Sequence, residues 1–165
     1  MKTNRFLISG MLGATTALLL SGCGDSGPTR AGGGGHHHDS VHGGVAVELG
    51  EHQFHLDVFH DAKAGSLTAW VMDAHVENFV RVPLKGIALS VVAAGKTNAL
   101  TLEPVANAAS GETSGDTSMY RAEAAWLKEV QKFTATVPEV EIRGAKFSNV
   151  TFEYPKDDDH HGHKH

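Results

Sequence analysis

The sequence predicts an all-β domain: an antiparallel β-sandwich of about eight short strands, Ig-like or similar, with flexible histidine-rich tails. In the central part of the chain, apolar residues alternate with period two more often than they recur at the helical period of 3.6. Turn-forming residues interrupt this alternation about every 8–12 residues, which is typical of antiparallel sheets rather than of βαβ units. Residues 45–155 are therefore predicted to form one folded domain.

Eight segments are predicted strands: 45–49, 54–58, 67–71, 87–91, 100–102, 119–124, 133–142 and 146–154. Turns at 61–65, 95–98 and 143–144 join neighbouring segments into hairpins. Residues 121–133 have a composition that suits a strand or helical turns, and we expect a strand followed by a short helix. Pro138 suits only an edge strand or a bulge, because it lacks a backbone N–H.

The N-terminus has the features of an export signal. Two basic residues precede the uncharged, mostly apolar stretch 6–20, which is shorter than the roughly 20 residues of a membrane-spanning helix. The Leu-Ser-Gly-Cys run that follows resembles the lipobox of bacterial lipoprotein precursors. This resemblance implies a signal peptide at 1–22, lipidation (palmitate included) at Cys23 and anchoring in the cell envelope. Gly24 after the cysteine implies the outer membrane, facing the periplasm. An ordinary secretory signal with an incidental cysteine is the alternative.

Composition limits the classes of function. The chain has 14 Lys plus Arg against 19 Asp plus Glu and a formal net charge of −5, so no basic excess is available for binding nucleic acid. A single cysteine provides neither a disulfide nor a thiolate metal site. The sequence contains no nucleophile elbow, phosphate loop, dinucleotide fingerprint or His-Glu-x-x-His motif. We therefore do not expect an enzyme.

Histidine is the unusual residue, with 12 in the chain. Neutral imidazole binds Cu, Zn and Ni, so a transition-metal ion is the predicted cofactor. Residues 23–44 are predicted to be a Gly- and His-rich tether and 156–165 a disordered Asp- and His-rich tail, because neither has enough apolar surface to fold. Candidate ligands in these tails are His36, His37, His38, His160, His161, His163 and His165. A solvated polar tail is the alternative.

Within the predicted fold, any histidine site has to be built across strands. If residues 51–60 form one strand, His52 and His55 point to opposite faces of it. A hairpin around the 61–65 turn with His60 opposite Leu67 predicts the facing pairs His52/His75, His55/Met72 and Asp57/Trp70. Facing side chains have Cβ atoms about 4.5–5.5 Å apart, which allows two of them to bind one ion. A thioether beside an imidazole favours Cu(I). Surface histidines on a half-exposed sheet are the alternative.

Several short segments resemble one family of bacterial domains: His42-Gly43-Gly44, Leu49-Gly50-Glu51-His52, His55-Leu56 and the run at 67–73. They are similar to small β-rich periplasmic domains associated with heavy-metal efflux, found as lipoproteins and as extensions of membrane-fusion proteins. The similarity covers 42–75 well and extends loosely to 154. It implies that His42, His52 and His55 are metal ligands and that a membrane-fusion protein of an efflux system is a partner.

Two functions follow as hypotheses. In the first, an envelope lipoprotein binds a transition metal through histidines and buffers it or hands it to an exporter. Its core ligand candidates are His42, His52, His55, His75 and Met72. In the second, the domain is an interaction module whose sheet contacts another envelope protein, with the histidines as solubilising side chains.

Overall fold

The computed structural model describes residues 38–156, which form an all-β domain of eight antiparallel strands. In chain order the strands are β1 (Val45–Leu49), β2 (Phe54–Asp61), β3 (Ser66–Met72), β4 (Ile87–Ala93), β5 (Lys96–Pro104), β6 (Met119–Glu123), β7 (Phe133–Ile142) and β8 (Ala145–Tyr154). A 3-10 helix at Ala125–Lys128 follows β6. The predicted all-β class and number of strands are confirmed. Within 38–156, no helix is long and apolar enough to span a membrane.

The strands form one sheet in the order β1-β2-β3-β6-β5-β4-β7-β8. The pairing of Glu103 with Arg121 joins β5 to β6 and links the two halves of the sheet. The end strands β1 and β8 come close to each other, and the rings of Phe54 and Phe147 meet there with centroids 6.2 Å apart. The sheet is therefore nearly closed and barrel-like, rather than a pair of facing sheets. Alternation predicts which side chains point inward but does not determine whether the two halves are joined.

The inward face of this sheet holds the hydrophobic core. Its largest fully buried side chains include Leu49, Leu56 and Ile142. Tyr120 is also fully buried, and its hydroxyl donates a hydrogen bond to the Val82 carbonyl at 2.9 Å. This bond satisfies a polar group that would otherwise be costly to bury.

The β2–β3 hairpin has the predicted register. His60 pairs with Leu67, Asp57 with Trp70 and His55 with Met72. The turn at 61–65 is held by Asp61, whose carboxylate accepts hydrogen bonds from the Lys63 and Ala64 N–H groups. The predicted pair His52/His75 lies outside this ladder, because β2 begins at Phe54 and β3 ends at Met72.

One predicted turn is shifted. The β4–β5 connection is the two-residue loop Ala94–Gly95, with φ of +49° and +74°, and β5 already begins at Lys96 rather than after a turn at 95–98. Two consecutive positive φ values match the twist of antiparallel strands, so a short loop is favoured. Arg143 and Gly144 form the same kind of loop between β7 and β8, where it was predicted.

Residues 38–44 form an N-terminal strap across the outer face of the β2–β3 hairpin, although the flexible tether was expected to extend to Gly44. The Ser40 hydroxyl accepts hydrogen bonds from the N–H groups of His42 and Gly44. Gly43 has φ +76°, which favours glycine. A Cβ on Gly44 would lie 1.9 Å from the Val58 carbonyl oxygen, so only glycine allows the strap to enter β1.

Replacing Gly44 with alanine should destabilise the domain by about 1–3 kcal/mol, because the added methyl overlaps the β2 backbone. Equilibrium urea unfolding measures this as a lower midpoint. Gly115→Ala is the matched control, because the nearest heavy atom to its added Cβ is 3.9 Å away. Equal midpoints for the two variants would contradict the close approach at Gly44.

Candidate metal site

Four histidines come together at one end of the strap. The ring centroid of His38 lies 5.0 Å from that of His55, 5.9 Å from that of His75 and 6.0 Å from that of His52. The His38 ring meets each of the other three edge-on, at interplanar angles of 65–81°. These four residues are called the His38 cluster below.

Each ring of the cluster comes from a different part of the chain. His38 belongs to the strap, His52 to the β1–β2 turn, His55 to β2 and His75 to the loop after β3. The fold therefore brings together histidines that are up to 37 positions apart in the sequence. A site assembled in this way exists only when the strap is docked on the folded sheet.

The β1–β2 turn places His52 on the same side as His55. His52 has φ +52°, and its N–H donates to the Glu48 carboxylate at 2.8 Å. The expected strand at 51–60 begins only at Phe54, so the predicted opposite orientation of His52 and His55 does not apply. The ring Nδ1 of His52 lies 3.5 Å from the same Glu48 oxygen. The other ring nitrogen, Nε2, therefore points away from Glu48.

The loop that carries His75 is held by Asp73. The Asp73 carboxylate accepts hydrogen bonds from the N–H groups of His75 and Glu77 and from the Asn78 side chain. Burial opposes ionisation of this carboxyl, but the hydrogen bonds outweigh it and lower the pKa of Asp73 to about 2. The carboxylate thus stays charged at neutral pH and fixes the loop beside the cluster.

His55 is the buried member of the cluster, with 2% of its surface exposed. Its Nδ1 lies 3.2 Å from the Asp73 carbonyl oxygen; because a carbonyl can only accept, Nδ1–H is the donor. Burial lowers the pKa of His55, more than the bond to Asp73 raises it. The ring is therefore neutral at pH 7 with its lone pair on Nε2, the form and orientation of a metal-binding histidine.

Met72 lies directly opposite His55 in the ladder and is 1% exposed. Its thioether is thus on the same face of the hairpin as the buried imidazole, as predicted from the register. Met72 remains a candidate ligand adjacent to the cluster.

His42, predicted as a ligand, has other partners. Its Nδ1 lies 2.6 Å from Oδ2 of Asp57, which is fully buried. Its ring stacks on Trp70, with centroids 3.6 Å apart and planes 8° from parallel. His60 is structural: its Nε2–H donates to the Leu127 carbonyl at 2.9 Å, and its ring contacts Phe133 in the core.

The spacing of the cluster is close to that of a metal centre. With metal–nitrogen bonds of about 2.0–2.1 Å, two imidazoles at the tetrahedral angle have centroids about 5 Å apart. The 5.0 Å spacing of His38 and His55 matches this value, and the other two spacings are about 1 Å wider. Within 38–156, no three His, Cys, Asp or Glu side chains have converged ligand atoms. A metal ion bound here would therefore require the rings to reorient, and χ2 of histidine is a soft torsion.

The sequence predicts His38 as a tail ligand candidate and does not predict its position beside His52, His55 and His75. The signal was the Gly43-Gly44 pair, which allows the preceding residues to cross the hairpin instead of leaving it. Cys23, His36, His37, His160, His161, His163 and His165 lie outside the described residues.

Comparisons of the chain with protein-family models, with curated proteins and with solved structures gave no match.

The lowered pKa of His55 predicts a pH dependence of stability. Below pH 6.5 the unfolded chain binds a proton that the native His55 resists, so the free energy of unfolding falls as the pH decreases from 6.5 towards the lower native pKa. His55→Gln should make this decline shallower in urea unfolding from pH 8 to 5. At pH 8, where His55 is neutral in both states, the difference in free energy of unfolding between wild type and variant measures lost packing. If the free energy of unfolding of the variant falls between pH 8 and 5 as steeply as that of the wild type, His55 is not buried in a neutral form.

Proposed function

We propose that this protein binds a transition-metal ion, Cu, Zn or Ni, through the His38 cluster, and buffers it or hands it to an efflux system. The observation that supports this most is the position of His38. One imidazole from the strap faces three imidazoles from separate segments, and one of these is buried and neutral with a free Nε2. Imidazole is a ligand for all three metals.

The clustering itself favours a ligand-binding role. The His38 ring and the three imidazoles within contact distance of it repel one another whenever two are protonated, and His38 and His52 both lower the pKa of His55. A histidine with a purely structural role avoids this electrostatic repulsion. His60 is an example, because its ring donates to the Leu127 carbonyl and is not part of the cluster. A bound cation, by contrast, takes up the lone pairs of neutral rings and makes the same arrangement favourable.

Export and lipid anchoring are part of the same proposal. The basic N-terminus, the apolar stretch 6–20 and the lipobox-like run ending at Cys23 support cleavage after residue 22 and acylation of the cysteine. Metabolic labelling with palmitate tests this: the wild-type chain should be labelled and Cys23→Ser should not. Equal labelling of the two would exclude Cys23 as the acylated residue.

Metal titration tests the site. The tail histidines are first replaced with glutamine in the full chain, at His36, His37, His160, His161, His163 and His165. This background protein should bind one Zn²⁺, Cu²⁺ or Ni²⁺ in competition with a chromophoric chelator. His55→Ala should raise the Kd by more than about 100-fold, because loss of a ligand costs more than loss of a supporting contact. Affinity should also fall steeply below about pH 6, where imidazoles are protonated.

The matched control is His60→Gln, which removes an imidazole from the same strand but from the core face. It should leave the Kd near that of the background protein. Equal affinities for the background protein and His55→Ala would show that the His38 cluster does not bind the metal.

The open edges of the sheet favour a second function, a protein-interaction module. In the described part of the chain, β1 and β8 are the end strands and are not hydrogen-bonded to each other. A groove of about 410 Å³ lies between them. Unpaired strand edges accept an added strand from a partner. A partner that stays bound in chelator, and to a variant with glutamine at all four cluster positions, would favour this function over metal binding.

A further inference from the structure

We propose that His42 is a positioning residue for the metal site: with Asp57 and Trp70 it holds the strap so that His38 stays over the other three histidines. This inference rests on the proposed function and concerns how the fourth ligand is held. His52, His55 and His75 come from the sheet and its connecting turns. His38 comes from a segment with no strand or helix of its own, so its position depends on what fixes the strap.

The contact between His42 and Asp57 is a short polar link between strap and sheet. Asp57 is fully buried, and its Oδ2 lies 2.6 Å from Nδ1 of His42. The other oxygen, Oδ1, has no hydrogen-bond partner among the described residues. His42 is therefore the polar partner of a buried carboxylate, and undocking the strap would leave that carboxylate without it.

Stacking fixes the orientation of the same ring. The His42 ring lies parallel to Trp70 at a centroid distance of 3.6 Å. Asp57 and Trp70 face each other across β2 and β3, so His42 engages both strands at once. A ring held on its edge by a carboxylate and on its face by an indole has little freedom to shift along the hairpin.

The short segment between His42 and His38 limits where His38 can lie. Ser40 lies midway between His38 and His42, and its hydroxyl accepts the N–H groups of His42 and Gly44. These bonds hold residues 40–44 in a compact turn, which leaves one residue, Asp39, between the turn and His38. Because only three residues separate the two histidines, fixing His42 limits the positions open to His38, and these include contact with His55.

A double-mutant cycle separates this role from two others. The probe is Zn²⁺ alone, with the full chain whose tail histidines are glutamine. His42→Ala should weaken Zn²⁺ binding about 10–100-fold, the usual effect of losing a residue that orients a ligand. In a His38→Ala background the same change should have no further effect, because His42 acts only through His38.

Additive effects would overturn the proposal, because they would mean that His42 is itself a ligand or supports the whole sheet. If His42→Ala alone fails to fold, the cycle is run with His42→Ala combined with Asp57→Asn, which removes the buried charge along with its partner. Failure of the proposed function gives a different result: in that case His55→Ala binds Zn²⁺ as tightly as its parent.

Hydrogen exchange gives a readout that a purely structural role would not change. If the strap is coupled to the site, Zn²⁺ that binds His38 must in turn stabilise the docked strap. The amides of His42 and Gly44 should exchange more slowly with Zn²⁺ in the parent protein and at an unchanged rate in His38→Ala. Slowing of equal size in both proteins would contradict the coupling through His38.

Discussion

The outer face of the β2–β3 hairpin has to be covered, because it carries a carboxylate with no exposure to water. Asp57 belongs to a strand whose inward neighbours, Leu56 and Val58, already lie in the core. A buried charge requires a hydrogen-bonded partner. His42 supplies one, and with it the strap becomes part of the fold. A second constraint acts where the strap enters β1, because the chain passes so close to the Val58 carbonyl at Gly44 that only glycine fits.

Covering this face also creates the chemistry of the site. An imidazole on an open strand is hydrated and titrates freely, whereas His55 beneath the strap is buried and its pKa is lowered. The same burial leaves the ring neutral at neutral pH. The Asp73 carbonyl selects the tautomer. The fold thus sets the protonation state and tautomer of one of the four proposed ligands.

The features of the fold that depend on residues close together in the chain could be predicted from the sequence. Alternation and turn residues gave the eight strands, and the turn at 61–65 gave the register that places His55 opposite Met72. The sequence was not sufficient for closure of the sheet, which depends on pairing between β5 and β6 far from the hairpins. It also failed at His52, because a residue with positive φ leaves the strand pattern. His38 was assigned to a tail because its contacts are all with distant residues.

The division of ligands between sheet and strap has a consequence for how a metal would be exchanged. Three histidines are held by elements whose hydrogen bonds are independent of the strap: Glu48 for His52, and Asp73 for His55 and His75. Only the fourth, His38, is carried by the strap, so only its position depends on docking of the strap. In the proposed site, opening the strap would remove one of four ligands, but it would also separate the buried Asp57 carboxylate from His42. Under the proposed function, hand-over of the metal would therefore carry the cost of leaving this buried carboxylate without its hydrogen-bond partner.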